Sequence, residues 1–183
     1  MNKKSFTLIE MIVVIGVIAL LVPTIFAMTF ALVRQQLLLY GYSEIKRQGT
    51  LVQQAVRNTI SSRAMNVTDS TYTATNICPP LTSPTPTPAQ RMYFQDVNSD
   101  GISFFQELVE PHRFASFSAS TGQTYYLTNS QITISDLSFT CYRTDESSSP
   151  FVFASYNTSK TILDKTITLP FKVRVQLGGG YSY

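Results

Sequence analysis

From Met11 to Val33 the chain runs for 23 residues without an Asp, Glu, Lys or Arg. A helix needs about 20 mostly apolar residues to cross a bilayer, whereas the apolar region of a secretory signal peptide spans only about 7–15. The run therefore reads as a membrane-spanning helix. Lys3 and Lys4 precede it, and positive charge on that side favours a cytoplasmic N-terminus. Everything after the run is then expected outside the cytoplasm, which excludes a plain cytosolic enzyme. Charged residues make up 14% of the 183-residue chain, against roughly 25% in soluble domains. The run holds none, and the remainder is rich in Ser, Thr and Tyr. A formal net charge of +3 is too small to imply a nucleic-acid partner. One His and two Cys fall short of the four ligands that a structural zinc site needs.

One carboxylate interrupts the apolar N-terminus. Glu10 stands one step before the charge-free run, inside the stretch that begins at Phe6. A carboxylate near hydrocarbon is costly enough that such residues usually have a partner. The string Lys3-Lys4-Ser5-Phe6-Thr7-Leu8-Ile9-Glu10 resembles the class III signal of type IV prepilins and of the pseudopilins of type II secretion and competence systems. The resemblance implies cleavage by a prepilin peptidase between Ser5 and Phe6, followed by N-methylation of Phe6. It also implies retention of Glu10 as an assembly residue facing the Phe6 amine of a neighbouring subunit. In a low-dielectric filament core that charge pair would set register as well as affinity. The family usually has Gly before the cut, so Ser5 is a departure, though a small residue.

Past the membrane the apolar positions thin out. Ile45, Val52, Val56 and Ile60 follow one another at spacings of 7, 4 and 4, which places them on one helix face. Pro23, Gly41 and Gly49 read as weak points where the helix can bend. Residues 64–90 change character: five of the nine prolines lie within positions 79–88, a run that can be neither helix nor central strand. Short aromatic and β-branched runs follow at Met92–Gln95, Ile102–Gln106, Thr124–Leu127, Ile132–Ile134, Leu137–Tyr142, Phe151–Tyr156 and Thr166–Leu177. Turn residues separate most of them, the pattern of an antiparallel sheet. Pro170 is expected to interrupt the last run or to place it at a sheet edge. The expected fold is α+β and pilin-like, with a long N-terminal helix packed on an antiparallel β-sheet. The expected divisions are a leader at 1–5, a transmembrane half-helix at 6–33, an amphipathic half at 34–63, a Pro-rich connection at 64–90 and a β-rich domain at 91–183. The segment from Leu127 to Phe139, with the C-terminal strand after it, is similar to the body of larger minor pilins and J-type minor pseudopilins.

Several side chains are candidates for local chemistry. Asp96, Asn98, Asp100, Gly101 and Glu107 match the oxygen-ligand spacing of an EF-hand loop. The flanks read as strands, though, and Asn98-Ser-Asp100-Gly101 is also a hairpin turn. If residues 102–107 are extended, Glu107 lies roughly 17–20 Å along the strand from Gly101 and cannot close a cage. The turn is the preferred reading, with a looser calcium site on Asp96, Asn98 and Asp100 left open and no other cofactor expected. Cys78 and Cys141 form an even pair in an extracytoplasmic chain, which points to a disulfide. His112 is the sole histidine, too little for a Cys–His or Ser–His–Asp catalytic site, and reads as a loop residue. Lys172 and Arg174 are two apart on one strand and point the same way; a solvated face is the preferred reading, with nucleic-acid contact as the alternative. Asn66 and Asn157 head glycosylation sequons, a weak signal beside a prokaryotic signal.

Together these features imply a non-enzymatic, single-pass inner-membrane protein with an extracytoplasmic C-terminal domain. The resemblance adds extraction into an extracellular pilus or pseudopilus, in which the chain is a minor structural subunit. The partners it implies are other pilin subunits, the prepilin peptidase and the inner-membrane assembly platform. The alternative is a permanently anchored extracellular binding module, with calcium dependence at the 96–100 loop left open.

Overall fold

The computed structural model describes residues 7–73, 77–80, 88–145 and 148–178. The fold is α+β; among the described residues, one long helix is followed by eight antiparallel strands. Helix α1 (Leu8–Ser62) runs through two compact units, Met1–Tyr40 and Gly41–Tyr183. In the first unit the described residues are helical from Leu8 on and exposed, apart from half-buried Leu38.

In the second unit, Ile45, Val52, Val56 and Ile60 are fully buried, so the 7-4-4 spacing marks the face that covers the sheets. Burying each such side chain stabilises by about 1.5–3 kcal/mol. Gly41 and Gly49 are not bends. A Cβ at Gly41 would collide with Ile162, and one at Gly49 with the ring of Phe171. These glycines let the sheet approach the helix backbone.

Five strands form one sheet in the order β1-β2-β3-β4-β5: Ala64–Thr68, Arg91–Asp96, Gly101–Gln106, Phe114–Ser118 and Gln123–Tyr126. The other three, β6 (Thr133–Tyr142), β7 (Phe151–Ile162) and β8 (Lys165–Gln176), form a second sheet. The single sheet read from the sequence is thus two. β1 lies in the segment read as connection only, and β4 falls outside all the strand-like runs. Ile132–Ile134 and Leu137–Tyr142 belong to one strand with a register shift between Ser135 and Ser138. Pro170 does not interrupt β8, which is the outer strand of its sheet.

Strict alternation explains the sheets' two faces: β2 and the first part of β7 bury every second residue. The inward residues meet in one core, where Phe94 touches Phe104, Phe104 touches Phe114, and Phe114 touches both Phe139 and Tyr156. Their ring centroids are 5.4–6.3 Å apart at tilted or edge-on angles, a favourable arrangement for aromatic pairs. Both sheets and the Gly41–Ser62 part of α1 share this core.

Candidate functional site

The N-terminal segment is built from its cap. Thr7 precedes α1; its carbonyl accepts from the N–H of Glu10 at 3.1 Å and of Met11 at 3.3 Å. Its Oγ1 also lies 3.4 Å from the Glu10 N–H. Helices begin with orphan N–H groups, and Thr-x-x-Glu is the spacing that satisfies them. Glu10, in the first turn, also sits where the helix dipole favours negative charge. The Thr7–Glu10 spacing is the sequence signal of this cap. Glu10 is exposed among exposed Leu8, Ile9, Met11 and Ile12. Ser5 and Phe6 lie outside the described residues.

The apolar part of α1 has a mean hydropathy of 2.8 over its most apolar window, and by length and composition it can cross a membrane. Pro23 is accommodated within the helix. Near it, hydroxyls that hydrocarbon would strand are satisfied internally, Thr24 donating to the Leu21 carbonyl and Thr29 to that of Ile25, each at 2.8 Å.

Residues 1–22 match the family described as the prokaryotic N-terminal methylation motif. The chain carries a type IV pilin-like prepilin signal. The signal and the apolar helix behind it fit a membrane-anchored, pilin-like precursor with a C-terminal domain, and point to a structural protein. No curated protein and no solved structure matches the chain.

Behind the prepilin signal, the other candidate residues separate into distinct places. Cys78 and Cys141 are joined by a disulfide, with Cα atoms 5.3 Å apart. It ties the connection to β6, where Ala89 pairs with Phe139 and Pro80 with Arg143. Asp96 ends β2 and Gly101 starts β3, so residues 97–100 turn between paired strands. Asp96 is buried. Its Oδ1 accepts from the N–H groups of Asn98 and Asp100 at 2.8 and 2.9 Å, and its Oδ2 faces Arg63 at 3.9 Å. The carboxylate that a cation would need is thus engaged by the turn itself.

Glu107 is engaged by other side chains. Arg113 donates to it at 2.8 and 3.3 Å and Tyr126 at 3.0 Å. The Arg113 guanidinium holds its carboxyl below the usual range, and the pairing raises Arg113 in turn. Arg113 also covers the Tyr126 ring at 3.4 Å. His112 sits in this loop, its Nδ1 3.1 Å from the Glu107 carbonyl. Lys172 and Arg174 share the outward face of β8, where Arg174 overlies Phe151 and Phe153 at 4.7 and 5.4 Å. The sequence reading missed that aromatic company, because Phe151 and Phe153 are neighbours only across the β7–β8 pairing.

Proposed function

We propose that the chain is a structural subunit of a type IV pilus, or of a type II secretion or competence pseudopilus, matured between Ser5 and Phe6. The observation that carries this reading is the methylation motif at residues 1–22, continuous with a helix long and apolar enough to span a membrane. Cleavage exposes a new amine at Phe6. Glu10 supplies the matching charge on a neighbouring subunit, and extraction from the bilayer brings the two into a dry filament core. There an unpaired carboxylate is costly, so only the paired register is stable. The prepilin peptidase and the inner-membrane assembly platform are the partners this route requires. The long β-rich body and the departure at Ser5 favour a subunit present in few copies.

The deciding experiment compares the chain's mass in membranes of strains with and without the prepilin peptidase. Loss of residues 1–5 and gain of a methyl group only when the peptidase is present is the expected result. An unchanged mass in both strains favours a permanent anchor instead. Quantitative mass spectrometry of sheared filaments then tests abundance, with this chain expected well below the dominant subunit.

A further inference from the structure

The outward face of the three-stranded sheet carries a constructed hollow. Register across β6, β7 and β8 sets three rows: Tyr142–Phe151–Gln176, Thr140–Phe153–Arg174 and Ser138–Ser155–Lys172. The first two rows are bulky. The third is low, because two serines lie side by side. A cavity of about 410 Å³ results, lined by Ser138, Thr140, Phe153, Ser155, Lys172 and Arg174. Along the strands from it, the irregularity in β6 carries Asp136 at φ 53°. The Asp136 carboxylate accepts from Asn157 Nδ2 at 2.8 Å and from Ser135 at 3.3 Å. A bulge re-aims a side chain, and left-handed backbone at a non-glycine residue is strain that clusters at functional sites. Among the described residues, neither Lys172 nor Arg174 has a carboxylate partner.

We propose that this hollow binds an acidic saccharide, through one uronic-acid unit of a polysaccharide. Lys172 and Arg174 supply the positive charge that a sugar carboxylate needs. The hydroxyls of Ser138, Thr140 and Ser155 and the hydrogen-bonded Asp136–Asn157 pair can exchange hydrogen bonds with ring hydroxyls. Phe153 lines the hollow and adds apolar surface beside the ring. Single-stranded nucleic acid would need open aromatic faces for its bases. The Phe153 ring is already stacked on Tyr142, 5.2 Å away at 18°, and lies beneath Arg174. The Asp136 carboxylate beyond the rim instead presents acceptors to ring hydroxyls. Covered aromatic faces beside two cations and three hydroxyls favour the sugar over bases. This inference goes beyond the filament reading and does not depend on it, because binding is measured on the isolated chain.

The test titrates the detergent-solubilised full chain with a galacturonic-acid trisaccharide, a neutral galactose trisaccharide and an oligothymidylate, at low and at physiological salt. Saturable binding of the galacturonate is expected, at least tenfold tighter than the neutral sugar and weakened by salt. Lys172→Ala should weaken it about fivefold or more. Ser138→Gln, which fills the hollow and keeps every charge, should do the same. Both positions lie outside the core, and far-UV dichroism verifies the fold. Absence of saturable galacturonate binding, equal binding by both variants, or tighter binding of the oligothymidylate would each overturn the proposal.

Discussion

The hydroxyl of Tyr156 in β7 donates to the backbone carbonyl of Gly49 in α1 at 2.8 Å. A sheet side chain reaches helix backbone here because Gly49 has no side chain to hold it off. Phe171 stacks on Tyr156 with ring centroids 5.6 Å apart and occupies the space that a Cβ at Gly49 would take. Tyr156→Phe keeps the ring and removes the bond, and should cost about 1 kcal/mol by denaturant unfolding. Burial pushes the Tyr156 phenol well above its ordinary value. The folded state therefore holds a proton that the unfolded state releases near pH 10. Stability from this group is complete below about pH 10 and falls as pH rises beyond it. Wild type should lose melting temperature between pH 9 and 11 more steeply than Tyr156→Phe.

Gly49→Ala is a sharper probe. Alanine favours helix by about 1 kcal/mol over glycine, so an open site would gain stability. Against Phe171 the methyl overpacks, and a net loss of about 1–3 kcal/mol is expected. Gly16, with nothing near its position, is the control: Gly16→Ala should leave the second unit's melting unchanged.

Glu44 ties α1 to the loop before β6. It accepts from Arg47 at 3.0 and 3.1 Å, from Gln48 at 3.1 Å and from Asn129 at 3.1 Å. The Arg47 hydrogen bonds come first among the causes that lower its pKa. A lowered folded pKa contributes stability above the unfolded value, near 4.3, which is lost as pH falls through the folded one. Acid titration followed by fluorescence should show Glu44→Gln with a shallower loss of stability below pH 5 than wild type.

At the Asp96 turn, millimolar calcium is expected to leave the melting temperature unchanged. A ligand at 100 times its Kd would add about 2.7 kcal/mol, a rise that a thermal scan detects. Asp96→Ala removes both backbone hydrogen bonds and should destabilise by about 2 kcal/mol with or without calcium. A calcium-dependent rise, abolished by that substitution, would favour the binding-module alternative.

Glu10→Gln keeps the size and the cap spacing while removing the charge. Membrane insertion should be retained, and recovery of the chain in sheared filaments should fall at least tenfold. Wild-type recovery would show that the charge pair is dispensable.

The helix face was legible because periodicity is local: Ile45, Val52, Val56 and Ile60 need no knowledge of their cover. The prepilin signal was legible for the same reason. β1 and β4 were not, since Ala64-Met-Asn-Val-Thr68 and Phe114-Ala-Ser-Phe-Ser118 are too short and polar to stand out before neighbours pair with them. The far half of β7, from Asn157 to Ile162, looks like loop but is held by β8 throughout and by β6 as far as Ser159. Gly41 and Gly49 were misread as hinges for a related reason. Ile162 and Phe171, which explain them, lie more than a hundred positions along the chain.

Pro170 has a consequence for how copies of this protein can meet. The Lys172 carbonyl accepts from Gln53 of α1 at 2.8 Å, so backbone groups at Lys172 point away from β7. In an antiparallel strand every second residue points the same way, which puts the missing N–H of Pro170 on that outer margin. The opposite margin of the sheet is occupied by Pro80 and Ala89, held there by the Cys78–Cys141 bond. A strand from another copy finds no continuous row of donors and acceptors on which to zip. Among the described residues, copies brought to high concentration therefore find no continuous backbone route into cross-β pairing through this sheet.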